Sequence, residues 1–130
     1  MNEMQFLQTP SFAKWVRKNR LQAAVEQLSA DIVADPEKGE VIPNGRGLRK
    51  IRMAGQGRGK QGGFRVIYLL CVNRSVTAFL EGYSKSEKEN ITASDLKRMV
   101  EQMEGIEAAA LQLQQQNQGS NDENENQEGA

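Results

Sequence analysis

The sequence predicts one small domain in which helices flank a run of consecutive strands, and three observations carry that reading. An apolar stripe at helical spacing fills residues 10–34, three strand-like segments occupy residues 48–80, and a second helical stripe opens near residue 93. The 130 residues are 38% hydrophobic and 26% charged, which suits a single domain with a modest core.

Each element follows from its residues. Residues 4–9 read as a short first strand ended by Pro10. Phe12, Trp15 and Val16 then fall at helical spacing, and Leu21, Val25, Leu28 and Ile32 continue the stripe, as one bent helix or two short ones stopped at Asp35-Pro36. Two prolines, three glycines and Asn44-Gly45 make residues 35–47 a loop. In residues 48–53, Ile51 and Met53 share one face while Lys50 and Arg52 share the other. Residues 64–72 are apolar apart from Arg65, as in a central strand, and Cys71 within them reads as a buried, inert thiol. Asn73-Arg74 is a tight turn leading into a third strand over residues 76–80. Thr92 is the expected N-cap of a last helix whose stripe is Leu96, Met99, Val100, Met103 and Ile106, with fraying expected after Gly105. Residues 111–130 are dominated by Gln, Asn and Glu, a composition that predicts a disordered tail after a folded unit of residues 1–110.

Composition excludes several chemistries. One cysteine rules out an intrachain disulfide framework, and with no histidine there is neither an ordinary zinc site nor a Ser-His-Asp or Cys-His nucleophile. The longest apolar run, residues 66–72, is too short to cross a bilayer, and residues 1–5 lack a basic signal region. The expectation is a cytoplasmic protein without membrane, metal or small-molecule cofactor, whose chemistry rests on Lys, Arg, carboxylates and hydroxyls.

Zero net charge hides an asymmetry. All seventeen Lys and Arg lie in residues 1–100 against ten acids, a net +7, and residues 101–130 hold the other seven acids with no cation. Such separation suggests a polyanion-binding domain followed by an acidic tail, read first as a solubilising extension and alternatively as a weak competitor with RNA phosphate. Arg46, Arg49, Lys50, Arg52, Arg58, Lys60 and Arg65 follow one another without a carboxylate. Within that stretch, Gly57-x-Gly59-x-x-Gly62 matches a dinucleotide fingerprint literally, but a strand follows it where a helix is needed. Gln61 after Lys60 likewise departs from a Walker A loop. A cationic hairpin loop is the better reading, its glycines letting backbone approach a phosphate chain. Lys50, Arg52, Arg65 and Lys85, with Tyr83 nearby, can then line one face of a sheet and suit RNA, phosphate taking the charge and a base the ring.

Leu48-Arg49-Lys50-Ile51-Arg52, Gly57-x-Gly59-Lys60-x-Gly62-Gly63-x-Arg65-Val66-Ile67-Tyr68 and Tyr83-x-Lys85-x-Glu87-Lys88 resemble the RelE/HigB-type toxins of bacterial toxin–antitoxin modules. Asp35-Pro36-x-x-Gly39 also fits, and the resemblance covers about residues 5–104. It implies a RelE-like α+β fold, with N-terminal helices on a small twisted antiparallel sheet and a C-terminal helix. It also implies a metal-independent, ribosome-dependent endoribonuclease acting on mRNA, with a cognate antitoxin and the mRNA-loaded ribosome as partners. By motif, Lys50, Arg52, Arg65 and Lys85 match the family's catalytic cations, with Ser86 standing where the archetype has an arginine. Arg49, Arg58, Lys60, Tyr83 and Lys88 complete the expected RNA-binding set, Tyr83 substituting for the archetype's stacking tyrosine. Metal-free cleavage by the RNA's own 2′-hydroxyl needs a base, an acid and positive charge on the phosphorane. Lys50 or Lys85 is assigned as base, Arg52 and Arg65 as phosphate stabilisers. The alternatives are a toxin of this fold that inhibits DNA gyrase by binding, and a non-toxic nucleic-acid or ribosome-binding module.

Overall fold

The computed structural model describes residues 3–55 and 63–129, with side chains as far as residue 117. In chain order its elements are β1 (Gln5–Gln8), α1 (Pro10–Asn19), α2 (Gln22–Ala34), β2 (Glu40–Val41), β3 (Arg49–Met53), β4 (Phe64–Cys71), β5 (Val76–Ser84) and α3 (Ala93–Gly129). The strands form one sheet in the order β1-β5-β4-β3-β2. The α+β architecture is the expected one. The sheet, however, is mixed rather than wholly antiparallel, because β1 runs parallel to β5.

Helices cover both faces of the sheet. On one side Phe12, Val16, Leu28 and Ile32 of α1 and α2 pack on Ile51, Met53, Val66, Tyr68 and Phe79. On the other, Met99, Met103, Ile106 and Ala110 of α3 meet Ile67, Leu69, Cys71, Ala78, Leu80 and Tyr83. Among the described residues no helix is long and apolar enough to cross a membrane.

The N-terminal stripe resolves into two helices because Arg20 turns left-handed (φ 54°) and its N–H closes on Arg17 and Val16. Thr9 caps α1, its Oγ1 accepting from the Phe12 N–H at 3.1 Å and donating to the Leu80 carbonyl at 2.8 Å. One side chain thereby starts a helix and anchors it to β5. Asn73 and Arg74 both take positive φ in the β4–β5 connection, as a tight turn requires.

Three elements depart from the sequence reading. β2 lies inside the expected loop, where two residues pair with β3 without any apolar pattern to announce them. β5 runs to Ser84 instead of stopping at residue 80, through Gly82, where an added Cβ would meet the Trp15 ring at 2.2 Å. Glycine there admits the indole and does not end the strand. α3 passes residues 105 and 111 without a break and continues to Gly129. Ala, Leu and Gln are strong helix formers, Ala110 is fully buried, Leu113 packs on the core, and Gln114 donates to Ser75 Oγ at 3.2 Å. Up to Gln114 the polar composition hid a helix that its alanines and leucines favour and that packing on the sheet holds. At Gln114 the helix has reached Ser75 in the β4–β5 turn, at the opposite end of these strands from Arg65.

Candidate functional site

The register of the three long strands builds the site. Arg52 of β3 lies opposite Arg65 of β4, which lies opposite Tyr83 of β5. Cross-strand partners share a face and neighbouring strands are about 4.8 Å apart, so two guanidinium-bearing residues and a tyrosine form one row. The next row on that face is Glu40, Lys50, Ile67 and Glu81. A bulge between Ile67 and Tyr68 sets this alignment, since Tyr68 pairs with Phe79 and Ile67 with Glu81, leaving Leu80 as the extra residue. Without it, Glu81 and Tyr83 would turn to the opposite face.

Three of the four expected catalytic cations are thus brought together. Arg52 is exposed, and Lys50 and Arg65 are half-buried. Lys50 Nζ donates to Asn90 Oδ1 at 3.2 Å, and Arg65 Nη1 donates to the Phe64 carbonyl at 3.3 Å. Lys85 is exposed just past the end of β5, its backbone N–H donating to Gly63 at 3.3 Å. Like charges directly opposite in a sheet are destabilising, which makes the Arg52–Arg65 pair the site's most telling feature.

The expected RNA-binding residues divide. Arg49 belongs to the other face, where its guanidinium donates to the carbonyls of Glu37 at 3.1 Å and Gly39 at 2.7 Å and holds the loop before β2. Arg58 and Lys60 lie outside the described residues. Tyr83 is only 5% exposed and packs in the core under α3, so its ring is not presented as a stacking surface. Lys88 covers it, with Nζ 5.0 Å from the ring centroid and 2.8 Å from Asp95 Oδ2. Burial raises the Tyr83 phenol above its ordinary value, so it remains protonated at neutral pH.

A network of acids borders the cations. Asp95 Oδ2 also accepts the Thr92 N–H at 3.1 Å, while Thr92 Oγ1 accepts the Asp95 N–H at 3.0 Å, a reciprocal cap that starts α3 where expected. The Lys88 hydrogen bond, with the Thr92 N–H behind it, holds Asp95 well below the usual carboxylate range. Arg98 joins Glu81 at 2.8 Å to Asp95 at 3.4 Å. These acids are engaged by Lys88 and Arg98, and among the described residues none pairs with Lys50, Arg52 or Lys85. Sequence reasoning missed Asn90, Asp95 and Arg98, whose roles depend on how the residue 85–92 segment folds back on α3.

Fold and cationic rows define a small α+β protein with cations gathered on one face of its sheet. A family model for the RelE toxin of the RelE / RelB toxin-antitoxin system matches residues 4–123. The chain belongs to this RelE toxin family, known for endoribonucleases, and is a toxin whose membership implies a cognate antitoxin.

Proposed function

We propose that the protein is a ribosome-dependent endoribonuclease that cuts mRNA and stops translation. The observation that carries the reading is the Arg52–Arg65 pair, with Lys50 one pleat away and, among the described residues, no carboxylate paired with Lys50 or Arg52. Two guanidinium-bearing residues on neighbouring strands can hold one phosphate between them, and hold it more strongly when it becomes a dianionic phosphorane. Arg52 and Arg65 hold the scissile phosphate. Lys50 or Lys85 takes the 2′-hydroxyl proton as the oxygen attacks phosphorus. The bond from phosphorus to the 5′-oxygen breaks and that oxygen takes a proton, leaving a 2′,3′-cyclic phosphate and a 5′-hydroxyl. Single proton-transfer groups supply about 10²–10⁴-fold, so positioning of the mRNA by the ribosome carries much of the remaining rate.

Inducing the protein alone should arrest growth, and primer extension on a reporter transcript should show cuts confined to translated regions. Equal cutting of naked RNA would remove the ribosome from the mechanism. Growth arrest with intact mRNA would favour the gyrase-inhibitor reading instead.

A further inference from the structure

Lys50 stands opposite a carboxylate but donates elsewhere. Glu40 of β2 is its direct cross-strand partner, so the two side chains leave the sheet on one face, with Cβ atoms about 4.5–5.5 Å apart. Opposite charges placed in this way ordinarily pair, yet among the described residues no ion pair joins them. Lys50 Nζ donates instead to Asn90 Oδ1 at 3.2 Å.

Asn90 is tethered on both sides. Its Oδ1 also accepts the Ile91 N–H at 3.1 Å, and Ile91 packs against the core under α3. Lys88, two residues earlier, reaches Asp95 at 2.8 Å, and Thr92, two residues later, exchanges hydrogen bonds with the same aspartate. The amide oxygen is thus fixed before RNA arrives, whereas Glu40 is exposed on a two-residue edge strand. A neutral acceptor orients an ammonium without neutralising it, and one hydrogen bond to Asn90 leaves Lys50 its remaining N–H groups for substrate. A carboxylate would compete with RNA for the same charge. We propose that Asn90 is a positioning residue that keeps Lys50 out of an ion pair with Glu40 and so available to the RNA, an inference that rests on the nuclease reading above.

Single-turnover cleavage of mRNA on purified ribosomes tests it, with wild type, Asn90→Ala, Glu40→Gln and the double variant compared. Asn90→Ala should lower the maximal rate constant about 10–100-fold, the scale of a misplaced group, and leave the half-saturating ribosome concentration unchanged. Glu40→Gln alone should cut as wild type does. Added to Asn90→Ala, it should restore most of the lost rate, because the competing carboxylate is gone. If the alanine variant does not fold, Asn90→Leu removes the same oxygen at nearly constant shape. Nuclear Overhauser contacts give a readout independent of cleavage, since Lys50 Hε should gain a contact to Glu40 Hγ in Asn90→Ala. No recovery in the double variant, or no such gain, would overturn the positioning role. A wild type that cuts no RNA would defeat the nuclease reading, while the Overhauser contacts would still decide whether Asn90 keeps Lys50 from Glu40.

Discussion

Tyr68 and Tyr83 are both buried, lie on opposite faces of one sheet, and are treated in opposite ways. Tyr68 OH accepts from the Gly39 N–H at 2.9 Å and donates to the Pro36 carbonyl at 2.8 Å. Asp35-Pro36-x-x-Gly39 is therefore a docking motif for one phenol, and Gly39 is required because a Cβ would come 2.7 Å from the Tyr68 ring. Tyr83 OH and Glu81 Oε2, on the α3 face, are buried without a hydrogen-bond partner among the described residues. The first face satisfies its polar groups and stacks Phe6, Phe12 and Phe79. The second leaves polar atoms unpaired and sets arginine against arginine. Departures from local consistency concentrate at functional sites, and here they concentrate on one face.

The sharpest way to break this contrast is Arg65→Ala. Toxicity and mRNA cleavage should fall by roughly 10²–10³-fold, the scale of losing one transition-state charge partner. The unfolding free energy in urea should change by less than about 1 kcal/mol, the scale of a single cross-strand pair. A parallel drop in stability and activity would make Arg65 structural.

On the opposite face the expected effects are on stability. Gly82→Ala drives a methyl into the Trp15 ring and should cost about 1–3 kcal/mol in chemical denaturation. Unchanged stability would mean that the indole has room to move.

The two tyrosines can be compared directly. Tyr68→Phe strands a buried N–H and a carbonyl and should cost about 1–2 kcal/mol. Tyr83→Phe removes a hydroxyl with no hydrogen-bond partner among the described residues and should lie within about 0.5 kcal/mol of wild type, or be stabilising. Equal losses for both would erase the asymmetry.

The smallest effect is pH-dependent. Asp95 sits below its unfolded-state value of about 3.9, so its stabilisation is complete above that pH and is lost as pH falls through the lower folded value. The group is partly exposed and screened, so the contribution is about 0.5–1 kcal/mol. The stability gap between wild type and Asp95→Asn should be constant near neutrality and close only below about pH 4. A gap that closes already above about pH 5 would contradict the depressed carboxyl.

Much of this was legible in the sequence. Period two alone put Lys50 and Arg52 on one face of a strand, and the apolar run around Arg65 marked the strand beside it. The β4–β5 turn and the α3 cap were visible in Asn73-Arg74 and Thr92. What failed to show depends on partners distant in the chain. The Leu80 bulge, which decides where Glu81 and Tyr83 point, has no local signature, because Leu80 reads as one more strand residue. Arg49 carries the same charge as Arg52, and although period two sets it on the other face, the Glu37 and Gly39 carbonyls that make it a loop clamp come from a segment with no local signature.

Cys71 gives α3 a clock. It is the chain's only cysteine, 3% exposed beneath that helix, and burial, with Glu107 adding to it, pushes its thiol up to about 11. A thiol so placed reacts with a soluble reagent only when the helix lifts or the sheet opens. Its modification rate, divided by that of a free thiol, is then the equilibrium constant for opening whenever reclosing outpaces the reagent. A single sulfur thereby measures, without an added label, how often the cover over this face comes off.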